Sequence, residues 1–220
     1  MNGDATKIGI FITFEGGEGA GKYSQIKILE KKLNKLHYKT ISTREPGGTA
    51  GAEAIRHVIL SGSAEKLGSE VEAMLFSAAR SDHVDRVIRP ALQRGEIVLC
   101  DRFFDSTRVY QGASGSVDME FLYLLEYVAC DDLWPDLTLI LDLSAAEGMS
   151  RANNRREKDV EPDRFEKEAM QAQEMRREAF RLIAEKEPKR CRLINASGTE
   201  QQVANRIWDA VEPVLKRKSA

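Results

Sequence analysis

The chain has 220 residues, 42% hydrophobic and 31% charged, which suits one domain with a substantial buried core and indicates a soluble globular protein. Thirty-three basic residues against 35 acidic ones leave a net charge of −2, so no bulk field draws the chain to nucleic acid or to a membrane, and any anionic ligand must be met by local arginines. Cys100, Cys130 and Cys191 are few, odd in number and widely spaced, which excludes a disulfide scaffold or zinc site and marks them as reduced core residues. With no apolar run of 18 residues and no basic-then-apolar order in MNGDATK, the expected location is the cytoplasm.

Residues 8–14 are a nearly unbroken run of β-branched and aromatic side chains, the pattern of a strand covered on both faces in a parallel sheet. The run breaks into Gly16, Gly17, Glu18, Gly19, Ala20, Gly21 and Lys22, which fit G-x-x-x-x-G-K. Glycines let backbone N–H groups turn inward around an anion, the following helix aims its positive end at the same place, and Lys22 adds a charge for β and γ phosphates. The dinucleotide fingerprint fails, because its third glycine position holds Lys22. One position departs from the motif. Where a Ser or Thr hydroxyl would ligate Mg²⁺ stands Tyr23, with Ser24 behind it, and a phenol sets its oxygen too far from the backbone to substitute. Either the metal is held by water and other carboxylates, or catalysis is impaired.

Apolar residues at 26, 29, 33 and 36 predict a helix over 24–36, and residues 38–42 predict a second strand that delivers TREPGGT, where Pro46, Gly47 and Gly48 end regular structure. Helices are expected at 52–60 and, as one long piece kinked by Pro90, at 69–94. A third strand over 97–100 runs into Asp101-Arg102, followed by a helix at 119–128 and a fourth strand at 137–143. A fifth strand at 191–194 precedes the NASGT loop and a last helix at 201–215. Between the fourth strand and a long amphipathic helix reaching about residue 187, RANNRREKDVEPDR is polar, arginine-rich and broken by Pro162, and it reads as a lid over about 148–167. Strands separated by helices predict a parallel α/β sheet in a single domain over 1–220.

Such sheets bind ligands at the carboxyl ends of their strands, where the phosphate loop, Arg44-Glu45, Asp101-Arg102 and residues 195–199 all fall. Asp101 can hold Mg²⁺ or its waters while Arg102 neutralises a moving phosphate. Asp142, ending the fourth strand, is the weaker metal candidate and reads equally as a cap or structural acid. Phe76 and Arg80 stand four apart on a helix, so a ring and a guanidinium face one way and can stack on a base and bond its edge. Thr107 and Gln111 share that spacing if 106–111 is helical. His37, His57 and His83 show no ligand spacing and read as ordinary surface or helix residues. Phosphoryl transfer needs no protein nucleophile, so the lack of a Ser/His/Asp or Cys/His constellation is no obstacle.

In FEGGEGAGK, TREPGGT, LFSAAR, DRFFDSTRVYQG, PDLTLILDL and the DRFE at 163–166, the sequence resembles the bacterial thymidylate kinase family nearly end to end. The DR followed by ST-x-x-YQG, together with REPGGT, is the specific part. The resemblance implies a P-loop NTPase three-layer sandwich, a five-stranded parallel sheet flanked by helices, with an arginine-rich lid. It also implies transfer of the ATP γ-phosphate to dTMP with Mg²⁺, and a homodimer formed through helices.

For the acceptor nucleotide the resemblance implies that Phe76 stacks on thymine, that Arg80 donates to its carbonyl, and that Thr107 and Gln111 wall the base, with Ser106 nearby and Glu45 in the same pocket. By the same resemblance Arg56 and Arg102 are expected to grip the dTMP phosphate, Tyr110 to lie beneath the sugar where a ribose 2′-hydroxyl would clash, and Glu18 to meet the 3′-hydroxyl. The phosphate loop has no arginine before Lys22, so the lid is expected to supply the transition-state charge from Arg151, Arg155 or Arg156, with Arg155 and Arg151 favoured. The NASGT loop, with Asn195 and Ser197, meets adenine mostly by backbone. Two other readings stay open: a nucleotide-binding protein whose turnover Tyr23 has ended, and a kinase for another nucleoside monophosphate.

Overall fold

The computed structural model describes residues 9–113, 117–155 and 170–219. β1 (Ile10–Glu15) is buried at all six positions because it runs through the middle of the sheet. It pairs in parallel with β3 (Ile97–Asp101) on one side and β4 (Leu137–Asp142) on the other; β2 (Thr40–Arg44) lies outside β3 and β5 (Cys191–Asn195) outside β4. The order β2-β3-β1-β4-β5 is wholly parallel, and parallel strands need crossovers that place helices on both faces.

Those helices are α1 (Lys22–Lys35), α2 (Ala50–Leu60), α3 (Ser69–His83), α4 (Arg89–Gln93), α5 (Phe104–Thr107), α6 (Met119–Cys130), α7 (Ala145–Arg155), α8 (Met170–Lys186) and α9 (Glu200–Ser219). Strand alternation decides which side chains they cover. Ile10, Ile12 and Phe14 pack with Ile26, Leu29 and Leu33 of α1 and Ile207, Val211 and Val214 of α9. Phe11 faces the other way, against Val98, Cys100, Phe103, Phe104, Ile88 and Cys130. Val109, Ile140, Phe180 and Cys191 extend that second layer under α8. All three cysteines are free and buried.

Two helical expectations change. The single helix over 69–94 is instead α3, a π-helical stretch at Val84–Ile88, and α4. Pro90 has no N–H and its ring crowds the carbonyl four residues back, so the distortion falls in the turn before it rather than as a kink at it. Residues 106–111 are likewise not a plain helix: α5 ends at Thr107 and a π-helical turn spans Arg108–Ala113. Strand ends shift as well, because Glu15, Arg44 and Asp101 stay in the ladder, with Arg44 paired to Asp101 and Phe14 to Asp101. Hydropathy alone would have stopped each strand at its first charge. Beyond α7, residues 156–167 of the expected lid, including Arg156, Pro162 and the DRFE stretch, lie outside the described residues.

Candidate functional site

At the carboxyl edge of the sheet, the turn between β1 and α1 closes on itself. Lys22 Nζ donates to the carbonyls of Gly16 at 3.0 Å and Gly17 at 3.1 Å. Gly21 holds φ 88° before α1, and no side chain caps that helix, so its first-turn N–H groups remain for an anion. Gly19 holds φ 68°, and a Cβ there would stand 1.9 Å from the carbonyl oxygen of Gly148, so this turn lies backbone to backbone against α7. Tyr23 points largely to solvent, 66% exposed, and Ser24 is half-buried. Burial, then the nearby Arg102, lowers the Lys22 pKa below the usual lysine range.

A cavity of about 400 Å³ opens beside this turn, and both the turn and the expected acceptor residues line it, among them Glu18, Lys22, Arg56, Phe76, Arg80 and Arg102. The size suits one nucleotide head with its phosphates. At the phosphate end, Arg102 adopts φ 66°, donates from Nη1 to Ser106 Oγ at 3.1 Å and pairs through Nη2 with Glu18. Arg56 donates to the Pro46 carbonyl at 2.9 Å. Tyr110 donates its hydroxyl to Glu18 at 3.3 Å and lies under the guanidinium of Arg102. Burial works to raise the Glu18 pKa, but Arg102 and Lys22 outweigh it and bring the group down to about 2. Burial pushes the Tyr110 phenol up to about 12, so it remains a donor.

Asp101 follows the β3 ladder into the cavity, and its Oδ1 is buried with no hydrogen-bond partner among the described residues. An orphaned carboxylate oxygen beside a phosphate loop fits a hard cation. Among the described residues no three His, Cys, Asp or Glu side chains cluster to hold a metal. That donor set suits Mg²⁺, which keeps several waters and takes one carboxylate plus substrate phosphates, and it does not suit a fully protein-ligated ion.

The other end of the cavity, where the residues expected to meet the base fall, is built from side chains that hold one another. Arg80, 2% exposed, donates from Nε to Glu45 Oε2 at 2.8 Å and from Nη2 to Thr107 Oγ1 at 3.0 Å. The other Glu45 oxygen meets His83 Nδ1 at 3.0 Å, and His83 Nε2 meets Thr43 Oγ1 at 2.7 Å. His83 is therefore not a surface residue; it is fully buried, bracing the carboxylate that aims Arg80. Gln111 donates from Nε2 to Glu72 Oε1 at 2.7 Å. The π-helical turn keeps Thr107 and Gln111 both facing α3.

Glu15 is a site residue that motif reading passes over. Alternation turns it away from α1, and it is fully buried, accepting from Phe103 N at 2.7 Å, Ser106 N at 3.3 Å and Ser106 Oγ at 2.6 Å. It thus fixes the segment that carries Arg102. Burial, with the charge of Asp105 adding to it, pushes Glu15 up to about 7. Asp105 is itself buried and bridged by Arg190 at 2.7 and 2.8 Å. The signal was present: a single acid ending an otherwise apolar strand. Arg176 of α8, whose guanidinium lies 4.3 Å from the centre of the Tyr110 ring, gave no such signal, because nothing local to its helix distinguishes it.

On the far side of the phosphate turn, Arg151 of α7 bonds Glu147 at 2.5 Å and donates to the carbonyls of Ala196 at 3.2 Å and Gly198 at 3.4 Å, beside the Asn195–Ser197 turn. Asn195 Oδ1 accepts from Ser197 N at 2.9 Å and Ser197 Oγ at 2.7 Å. The backbone of Arg155 ends α7, and its side chain lies outside the described residues. Asp142 is a structural acid: Arg177 bonds it at 2.6 Å and 3.3 Å, and Arg181 lies 3.8 Å away.

A family model described as thymidylate kinase matches residues 14–207. Two thymidylate kinases from Rhodopseudomonas palustris, strains TIE-1 and ATCC BAA-98 / CGA009, are each 54% identical over 204 residues, covering 92% of this chain and 88% of theirs. The crystal structure of a thymidylate kinase from Ehrlichia chaffeensis superposes with a TM-score of 0.72 at 31% identity, over 92% of this chain and 98% of that one. With a family model matched over residues 14–207 and relatives 54% identical over nine-tenths of its length, the chain belongs to the thymidylate kinase family.

Proposed function

We propose that Phe76 and Arg80 hold the thymine of dTMP while the turn from Gly16 to Lys22 holds the phosphates of ATP, so that the γ-phosphate passes to dTMP and leaves dTDP and ADP. The observation that carries this reading is that both sets of residues line one cavity. Arg80 donates to a ring carbonyl, with Ser106, Thr107 and Gln111 as the polar wall and Glu45 holding Arg80 in aim. Arg56 and Arg102 grip the acceptor phosphate. Glu18, ionised at any working pH, accepts from the deoxyribose 3′-hydroxyl, and the Tyr110 ring closes the space a 2′-hydroxyl would need. Ala20, Tyr23 and Ser24 complete the donor loop, Arg151 with Asn195 and Ser197 borders the adenine, and Arg155 with Arg151 supplies charge as the phosphoryl group moves. Catalysis of this kind is mostly positioning and charge stabilisation.

Asp101 would hold Mg²⁺, partly through water, and the ion would supply charge neutralisation for the phosphates. The domain is a single kinase unit over residues 1–220, with a lid over about 148–167 that begins within α7. The protein works in the cytoplasm as a homodimer. Tyr123, Leu124, Tyr127 and Val128 form an exposed stripe on α6, an apolar face that a second copy would cover, and sedimentation would decide the state.

A coupled ATP-turnover assay with dTMP, dCMP, GMP and AMP tests the reading. The expected result is a kcat/KM for dTMP far above the others; comparable rates across the panel would remove the base-slot assignment. The second reading, binding without turnover, rests on Tyr23. It wins if the protein binds both nucleotides and turns over neither while Tyr23→Ser does.

A further inference from the structure

On α3, Glu72, Phe76 and Arg80 stand at successive intervals of four, so they share one face of the helix. The end of α5 and the π-helical turn that follows it reach back to the two ends of that stripe. Thr107 accepts from Arg80 at 3.0 Å and Gln111 donates to Glu72 at 2.7 Å, and both bonds are buried. Phe76 therefore lies between two cross-bonds that tie α3 to the opposite wall. Of these five side chains Glu72 is the one with no role in the function proposed above, and it is buried, 3% exposed.

Chemistry fixes what Glu72 does to its partner. A glutamine amide presents a donor or an acceptor depending on which way it is turned, whereas a carboxylate only accepts. Toward Glu72 the Gln111 amide can present only its NH₂ end, so the carbonyl Oε1 turns away from Glu72, on a side chain that lines the cavity. Arg80 has donors and no acceptor. The two groups that flank Phe76 are thus one fixed acceptor and one fixed donor.

We propose that Glu72 sets the base specificity of this site: by holding Gln111 as an acceptor beside Arg80, it makes the slot require a ring N–H next to a ring carbonyl. That is the edge of a 2,4-dioxopyrimidine. A 4-aminopyrimidine reverses both groups, setting an amino donor against Arg80 and a bare ring nitrogen against a carbonyl oxygen. The inference rests on the reading of Phe76 and Arg80 as the base slot. Glu72 is a positioning residue, since it acts through Gln111.

Glu72→Gln keeps the size of the side chain but lets it donate, which frees the Gln111 amide to turn over. Steady-state kinetics with dTMP, dUMP and dCMP read the effect. The KM for dTMP rises about tenfold with kcat little changed, and the dTMP-to-dCMP ratio of kcat/KM narrows by about tenfold. The dTMP-to-dUMP ratio, which reports the methyl group, stays where it was. A Glu72 that only braces α3 would lower all three substrates in parallel, and that result overturns the proposal.

In a Gln111→Ala background, Glu72→Gln adds nothing further to the ratio if Glu72 acts through that amide; an added effect of equal size sinks the relay. Phe76→Ala separates the two levels of inference. If it leaves the KM for dTMP unchanged, the base lies elsewhere and both readings fall; if it raises KM while Glu72→Gln leaves the ratio alone, only the role of Glu72 falls. Should Glu72→Gln fail to fold by circular dichroism, Gln111→Ala alone must narrow the dTMP-to-dCMP ratio, and an unchanged ratio refutes the proposal.

Discussion

The two ends of the cavity are made of different material. The phosphate turn offers mainly backbone, with Lys22 folded onto the carbonyls of Gly16 and Gly17 and an uncapped helix start behind it. The end proposed for the base offers side chains, each held by another buried side chain: Arg80 by Glu45 and Thr107, Glu45 by His83, Gln111 by Glu72. A phosphate is bound by any ring of inward N–H groups, so backbone suffices and identity matters only at the glycines and the lysine. A base edge has a fixed order of donors and acceptors, so its partners must be locked. Locking requires burial, and burial of charge requires pairing.

That contrast predicts how each end breaks. Lys22→Ala lowers kcat by about 10³-fold while the KM for dTMP moves by less than about threefold, because it removes charge stabilisation from the donor end alone. Equal movement of KM would mean the two ends are not separable. Arg80→Ala costs about 100-fold in kcat/KM for dTMP and, unlike the lysine change, also lowers stability by about 3 kcal/mol, since it leaves Glu45 Oε2 without its cation in the interior. Urea unfolding of the two variants side by side reads the difference; equal stabilities would contradict it.

Glu15 joins the two ends, and its ionisation gives a pH test. Its folded pKa, about 7, lies above the ordinary carboxylate value, so the native state binds the proton more tightly than the unfolded chain. Its contribution to stability is complete below about pH 4.5 and is lost as pH rises to about 7. Glu15→Gln should flatten that part of the stability profile in denaturant titrations at pH 5 and pH 8. An unchanged slope would assign the effect to another group. The smallest effect is expected of Tyr23→Ser, whose side chain points mostly to solvent: nucleotide binding by calorimetry stays intact and kcat is preserved or rises by at most about fivefold. A fall in kcat would give Tyr23 a part in holding the donor.

The sequence by itself determined the parallel α/β order, the phosphate turn and most of the cavity wall, because these depend on local signals: apolar runs, glycines that alone reach the required φ, and residues four apart on a helix. Phe76, Arg80, Arg102 and Lys22 fall on one cavity for that reason. Only the tertiary structure decided the π-helical turns, the burial of His83, the structural role of Asp142, and the places of Glu15, Glu72 and Arg176. Each of these depends on a partner between 35 and 91 positions away or on a clash between turns, and a carboxylate that aims another residue looks, in one dimension, like any other surface acid. Pairing in the interior is a property of two distant segments together, so neither segment announces it alone.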